Sequence, residues 1–539
     1  MPEEEPLLLQ TDAGPTLHWR GLDFYPRTDP VSYARRKARV HSPLPRSLYF
    51  VPSLGLGHGL PDLLEALPAD CAVLCVEVYQ EVMRIAAARG IPRHPRLLVV
   101  RTEDPEAAAA ALRDMGTGRF RRVVEAPLSA GYRLAPELYA RIRRRLEREV
   151  MRYWQNRLTL IAMGSLQVRN VVANLPLLRD ALDFSALSTT LPVVVAGAGP
   201  SLAGSLPVLA RNRDRFVLVA VDTALPTLTS SGIAADVVVA LEAQAVNNQD
   251  FIGVTAAAAR TVFACDLSVH PSAARLFADR ICFFSSEFAP LRLWERLARH
   301  GLRPQTFPAL GSVGVAAAHA ALRITRESVF LTGLDLSFPG SKTHAGGSPP
   351  VLAMLARSTR LDPIGQASYR ALADRRLLRL ADKHGLPILT DRVLSSYRDS
   401  LAEEISASAG RVLDCSETGL PLGVSAIPAE RFEEILQCIP SAAPRLRIDQ
   451  ERRFAGARLA GFVAAERSLL ADVVKAAAEF GTSGEAGDSI GLLLAEADYT
   501  WAHFPDVPDL SAPDRGFVAR ARIAVLYYAE RLRRIESVL

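Results

Sequence analysis

Pro192-Val193-Val194-Val195-Ala196-Gly197-Ala198-Gly199-Pro200-Ser201-Leu202 is the stretch whose reading decides the fold. An unbroken apolar run bounded by turn residues reads as a buried strand. It ends in two glycines and Pro-Ser, which places a tight turn at the start of a helix. Pro200 suits the first helical position, where its missing N–H has no partner to lose. Gly197 and Gly199 let the backbone approach a ligand closely, and the amides of Ser201 and Leu202 would face an anion at the positive helix end. The reading is a phosphate cradle; an ordinary strand-to-helix turn uses the same residues. Leu202 stands where the third glycine of the dinucleotide fingerprint belongs, and the Gly-Lys-Ser/Thr of the Walker loop is absent.

Working outward, strand and helix patterns alternate. Candidate strands are Val193–Ala196, Phe216–Val221, Val237–Leu241, Val262–Cys265, Ile281–Phe284 and Val329–Thr332. Helical stretches between them argue for a parallel, doubly wound Rossmann-like sheet of the α/β class. Ligands of such sheets bind beyond the carboxyl ends of the strands. Those ends carry Gly197–Ser201, Asp222-Thr223, Glu242 and Asp335, so polar groups gather at one edge. A smaller Rossmann-like domain is expected in residues 1–185, the central sheet in 186–428 and a helical domain in 429–539. In the first, Gly55-Leu56-Gly57 follows a strand and Glu77 ends the next, a pattern of nucleoside pockets whose third glycine comes too early for the fingerprint, so a vestigial or structural pocket is expected. In the last, Leu459, Phe462, Val463, Leu469, Leu470, Val473 and Val474 fall at helical spacing, as do Phe517, Ile523, Leu526, Tyr527 and Ile535. Strands are not expected beyond about 426.

The chain has 539 residues, 49% hydrophobic and 22% charged, and can bury large cores. Its net charge of +5 is small for this length, and lysine occurs only at 37, 342, 383 and 475. The arginine cluster Arg141, Arg143, Arg144, Arg145 and Arg148 has acidic neighbours and reads as a solvated helix face, so no nucleic-acid partner is expected. The six cysteines are scattered and read as buried thiols. Met1-Pro2-Glu3-Glu4-Glu5 lacks the basic start of a signal peptide, and no apolar run reaches membrane-spanning length. The expectation is a cytoplasmic protein.

A second informative block opens at Gly311-Ser312-Val313-Gly314, continues as a small-residue helix from Val315 to Leu322, and reaches the strand Val329–Thr332. It ends in Gly333-Leu334-Asp335-Leu336-Ser337 and a loop to Lys342-Thr343-His344. Gly311 and Ser312 can offer amides and a hydroxyl to a second part of a ligand. Asp335 stands where a carboxylate bonds ribose, orients a neighbour or simply anchors a loop. Lys342 reads as solvated, and His319, inside the alanine-rich helix, as packed against the sheet.

Together the Gly197–Leu202 turn, Asp222-Thr223-Ala224-Leu225 with Gly232-Ile233 and Asp236, Gly333-Leu334-Asp335 with His344, and Asp414-Cys415-Ser416-Glu417-Thr418-Gly419 resemble the motility accessory factors (Maf), bacterial flagellin glycosyltransferases that transfer nonulosonic acids. The resemblance covers nearly the whole chain. The block Gly311-Ser312-Val313 to Gly333-Leu334-Asp335-Leu336 is also similar to bacterial sialyltransferases that use CMP-sialic acid, with Gly-Ser-Val here in place of their Ser-Gly-Val. The resemblance implies a CMP-activated donor of pseudaminic or legionaminic type and flagellin Ser or Thr as acceptor. It implies Gly197, Gly199, Pro200 and Ser201 at the cytidine phosphate, Asp222, Thr223 and Glu242 at the donor, and Gly311 and Ser312 on the far side. His344 and Asp335 are the implied catalytic residues.

Transfer from a CMP-linked ketose builds positive charge on the sugar, frees a monophosphate and requires a base for the acceptor hydroxyl. Histidine suits that base near neutral pH. With no Asp-x-Asp pair in the central region, a metal-independent reaction without a cofactor is expected. The central domain is also similar to the archaeal-type hydroxymethylpterin pyrophosphokinases, for which Asp222, Glu242 and Asp335 would serve ATP and magnesium. A flagellin-binding protein with a degenerate pocket is the third reading.

Overall fold

The computed structural model describes residues 5–39, 43–253, 260–286, 289–442, 445–483, 488–506 and 509–539; residues 1–4 of the acidic start lie outside them. The chain forms two compact units, Met1–Thr159 and Leu160–Leu539, with the boundary inside the helix Pro136–Asn174.

The first unit holds a parallel sheet in the order Leu97–Arg101, Ala72–Glu77, Ser47–Pro52, Arg122–Glu125. Ser47–Pro52 and Ala72–Glu77 are buried along their whole length, as expected of strands covered on both faces. A three-stranded antiparallel sheet, Leu7–Thr11, Gly14–Trp19 and Leu22–Asp23, precedes it.

The second unit is built on a parallel sheet in which Val193–Ala196 lies between Val217–Val221 and Val329–Thr332. On one side the order continues through Val237–Ala240, Val262–Asp266, Ile281–Ser286 and Gln305–Phe307. On the other it continues through Val412–Asp414 and Ser425–Ala426. The chain thus leaves Val193–Ala196 in one direction and returns on its opposite flank. That reversal creates a crevice at the carboxyl ends of Val193–Ala196 and Val329–Thr332. The α/β reading holds, with parallel sheets in both units. The three-residue Gln305–Phe307 and Val412–Asp414 and the two-residue Ser425–Ala426 are too short to carry a period and escape sequence reading.

Two local corrections follow from the hydrogen bonds. The helix after the first strand starts at Leu202 with Ser201 as its cap, so Pro200 belongs to the turn. Beyond 426 a short strand, Arg447–Ile448, does form, paired antiparallel with Leu187–Ser188. The long helices Gly456–Ser483 and Arg515–Glu536 pack on each other, and their apolar faces join the core that also contains the sheet. A two-toothed ion pair, Arg296 Nε to Glu466 Oε2 and Nη2 to Glu466 Oε1, both 2.9 Å, ties Gly456–Ser483 to the helix Arg292–Arg299. Five cysteines are buried thiols as expected, whereas Cys438 is exposed. Among the described residues no helix is long and apolar enough to cross a membrane.

At the crevice the two strand ends touch backbone to backbone. The Gly197 amide donates to Thr332 O and the Gly199 amide to Gly333 O, each at 2.8 Å. A Cβ on Gly197 would overlap Gly333 O, and one on Gly333, which has φ +67°, would overlap Gly197 O. The Gly333 carbonyl is held by the Gly199 amide and cannot move without breaking the turn. Gly197→Ala is therefore expected to cost at least ~3 kcal/mol, read as a lowered denaturant midpoint. A midpoint within error of the parent would show that this contact is dispensable.

Candidate functional site

The Gly197–Ser201 turn is a filled cradle. Ser201 N–H, expected to await an anion, donates to Asp335 Oδ2 at 3.1 Å, and Leu202 N–H donates to Gly199 O at 3.1 Å. Asp335 is 1% exposed, and its other oxygen accepts from the Thr418 hydroxyl at 3.0 Å. Burial raises its pKa, while the Ser201 amide works in the opposite direction. Its carbonyl accepts from Leu420 N–H (2.9 Å) and the Ser337 hydroxyl (3.0 Å). This carboxylate clamps the turn from beneath rather than facing the crevice.

Behind the clamp, Lys383 Nζ pairs with Asp414 and donates to Ser416 O at 3.0 Å; both charged side chains are buried. Thr418, Lys383 and Asp414 thus form the second support of the crevice floor. The Asp414–Gly419 motif predicted the polar stretch, but Lys383 had no sequence signal linking it to the site.

Leu334 locks the second glycine-rich segment to the first. Its Cδ2 lies 2.6 Å from where a Cβ on Gly197 would stand and 2.7 Å from one on Gly314. The helix Val313–Ile324 begins beside the turn, capped by Ser312 Oγ accepting from Gly314 N–H at 3.3 Å. Gly311 has φ +70°, and a Cβ there would meet the Tyr397 ring edge at 3.4 Å. Tyr397, from the helix Arg392–Ser406, was not foreseen. Burial raises its pKa, with Asp391 and then Glu242 adding to the effect.

On the other flank Asp222 and Thr223 follow the Val217–Val221 strand as a short 3-10 turn. Thr223 N–H donates to Asp222 Oδ1 at 2.9 Å, and the Thr223 hydroxyl lies 3.2 Å from Asp250 Oδ2. Burial first, and the nearby Asp250 carboxylate second, push Asp222 up to about 7. Burial likewise pushes Asp250 up to about 6. Glu242 contributes to the Asp222 shift and is itself half-buried, its Oε1 accepting from Gln244 N–H at 3.3 Å. Asp250 sits in a polar run without a motif and was missed. Among the described residues no three His, Cys, Asp or Glu side chains are arranged to hold a metal ion.

His344 reaches the same place. The next residue, Ala345, donates its amide to Ala198 O in the turn at 2.8 Å, and the Thr227 hydroxyl donates to Gly346 O at 3.0 Å. The His344 loop is thereby sewn to both the glycine turn and the segment after Asp222. Its Nδ1 has no hydrogen-bond partner. Burial lowers its pKa, with the Arg375 guanidinium adding to the effect, so the ring is neutral near pH 7. Arg375 is held by Asp391 at 2.7 Å. Lys342 is exposed, as expected.

The Gly55 turn of the first unit is closed. A Cβ on Gly55 would lie 2.5 Å from the Tyr25 hydroxyl, which accepts from Leu56 N–H at 3.1 Å. Glu77 is fully buried and takes four donors: Ser53 Oγ (3.0 Å), Leu54 N (2.9 Å), Tyr79 N (3.1 Å) and Tyr139 Oη (3.2 Å). With its acceptors engaged, this acid is a structural hub.

Three likenesses to known proteins bear on this arrangement. The family model "6-hydroxymethylpterin diphosphokinase MptE-like" matches residues 168–341. An uncharacterized protein of Treponema pallidum (strain Nichols) is 27% identical over 568 residues, spanning 100% of this chain and 97% of that one. The solved structure of a MAf glycosyltransferase from Magnetospirillum magneticum AMB-1 superposes with a TM-score of 0.53 at 17% identity. That superposition covers 99% of this chain and 89% of the other. The chain shares that glycosyltransferase's fold. The expected Maf-like architecture is therefore present, and the likeness extends through both units.

The acidic pair sets a pH dependence. Asp222 has a folded pKa above its unfolded value, so its contribution is fully present below about pH 4 and is lost as pH rises toward 7. Asp222→Asn removes that loss. The variant is expected to gain ~3 kcal/mol over the parent between pH 4 and pH 7 in denaturant titrations. A difference that stays constant with pH would show that Asp222 ionises as freely as in the unfolded chain.

Proposed function

We propose that the protein is a glycosyltransferase that moves a nonulosonic acid of pseudaminic or legionaminic type from a CMP-activated donor to Ser or Thr of flagellin. The observation that supports this most is the convergence of the His344 loop on the Gly197–Ser201 turn through Ala345 N–H and Ala198 O, within a fold shared with a MAf glycosyltransferase over 99% of the chain. The donor lies across the crevice. Gly197, Gly199 and Pro200 form its floor, Asp222, Thr223 and Glu242 one wall, and Gly311, Ser312 and Tyr397 the other. Because Asp335 already holds the Ser201 amide, the donor phosphate meets the open side of the turn and the Ser312 hydroxyl. Asp335 serves the site by fixing the turn.

His344 removes the proton. The acceptor hydroxyl oxygen attacks the anomeric carbon of the sugar, the bond from that carbon to the phosphate oxygen breaks, and CMP leaves with the electron pair. The acceptor proton passes to the neutral imidazole of His344. No step of this sequence calls for a metal ion. The acceptor protein and a cytoplasmic setting belong to the same proposal.

One observation favours a second reading. The MptE-like match over residues 168–341 favours diphosphate transfer from ATP with magnesium, although among the described residues no three carboxylates are grouped to hold a metal ion. Calorimetry separates the two: selective CMP binding in the presence of EDTA supports the glycosyltransferase, whereas binding only of ATP with magnesium overturns it.

His344→Ala should abolish sugar transfer by at least ~100-fold while keeping CMP affinity. Retained transfer would remove His344 from the chemistry. Transfer should also rise with pH as His344 deprotonates, in a limb below the usual imidazole range. Arg375→Gln, which takes away a nearby positive charge, should move that limb to higher pH; an unmoved limb would mean that another group titrates.

A further inference from the structure

His319 is the one polar side chain facing the core from the alanine-rich helix Val313–Ile324, and its surroundings are unusual. It is 4% exposed, and its Nδ1 lies 2.6 Å from Glu404 Oε1. Nε2 is buried without a hydrogen-bond partner, and the ring packs edge-on against Phe307 at 4.5 Å. An apolar residue would fill this space without leaving a buried nitrogen unsatisfied, a loss that normally costs ~1–3 kcal/mol. The tie therefore calls for an explanation other than packing.

Its position supplies one. Glu404 belongs to the helix Arg392–Ser406, which also carries Tyr397, seven residues earlier and thus about two turns nearer the crevice. His319 lies seven residues beyond Ser312 and eight beyond Gly311. The two helices run side by side, touching at Gly311 and Tyr397 at the crevice and at His319 and Glu404 ~11 Å deeper. A hydrogen-bonded pair is directional in a way that apolar contact is not, and a slip of one residue would rotate either partner by ~100° out of reach.

We infer that His319 and Glu404 are positioning residues: joined at the foot of two parallel helices, they fix the contact between Gly311–Ser312 and Tyr397 that forms one wall of the proposed nucleotide crevice. The pair itself touches no ligand. The inference rests on the proposed donor site for the identity of the nucleotide, but the packing of that wall can be measured without it.

The test compares Glu404→Ala, Glu404→Gln and His319→Leu in the full-length protein. Gln keeps a hydrogen-bonding partner for Nδ1, Ala removes it, and Leu fills the core while removing the tie. Hydrogen exchange by mass spectrometry reads the peptides over 311–316 and 394–399, thermal melting reads global stability, and calorimetry reads CMP. Glu404→Ala and His319→Leu should accelerate exchange in both peptides and weaken CMP binding about tenfold, while Glu404→Gln restores both. His319→Leu should do so without a lower Tm, which a purely structural role would not produce. Unchanged exchange at 311–316 in both disrupting variants overturns the inference. Accelerated exchange together with no CMP binding by the parent protein upholds the positioning role and overturns the donor assignment instead.

Discussion

The second unit depends on a contact with no side chains in it. Where Val193–Ala196 and Val329–Thr332 end, Gly197 and Gly333 meet carbonyl to Cα, closer than any Cβ permits. That approach lets Gly199 N–H reach Gly333 O and brings the Gly199–Ser201 backbone over the next residue but one, Asp335. The carboxylate then takes the amide that a bound anion would otherwise take. Thr418 holds the carboxylate's other oxygen, and Gly419, at φ +117°, passes so near the Asp335 backbone that a Cβ would stand 2.7 Å from its carbonyl oxygen. Everything at the crevice is referenced to this knot: the Ala198 carbonyl that fastens the His344 loop, and Leu334, which fastens the Gly311–Gly314 segment.

Each unit solves the same problem in the same manner. A parallel strand running into a glycine turn leaves turn amides outside the sheet ladder, in need of an acceptor. In the first unit Glu77 accepts from Leu54 N–H, and in the second Asp335 accepts from Ser201 N–H. The outcomes differ in what lies above the turn. Tyr25 occupies that space at Gly55, whereas at Gly197–Ser201 the neighbours are His344, the Asp222–Asp250 pair and Tyr397, groups whose ionisation burial has shifted. Burial displaces ionisation at both turns, at Tyr25 and Glu77 as at Asp222 and His344, so it is the space above the Gly197–Ser201 turn that sets the second unit apart.

Much of this was legible in the sequence because strand ends announce themselves. Apolar runs of four or five residues terminated by Gly, Asp or Glu placed Gly197, Asp222, Glu242 and Asp335 at one edge, and the sheet brings those edges into register. Orientation was not legible. Whether Asp335 points into the crevice or beneath the turn depends on the positive φ of Gly333 and Leu336, which no periodicity encodes. Nor could Asp250, Arg375, Tyr397 or Lys383 be found, since each arrives from a distant loop or helix with no motif around it. The helical end of the chain was read as helical, but its sharing of one core with the sheet comes from long-range packing at Arg296–Glu466 and along the two long helices.

The central claim is that an internal carboxylate fixes the turn while a nucleotide occupies the open face above it. A crystal structure of the protein grown with CMP tests this most directly. The account predicts cytidylate between His344 and Tyr397 with Asp335 still bonded to the Ser201 amide. Cytidylate displacing Asp335 from that amide, or a crevice without nucleotide at saturating concentration, would contradict it.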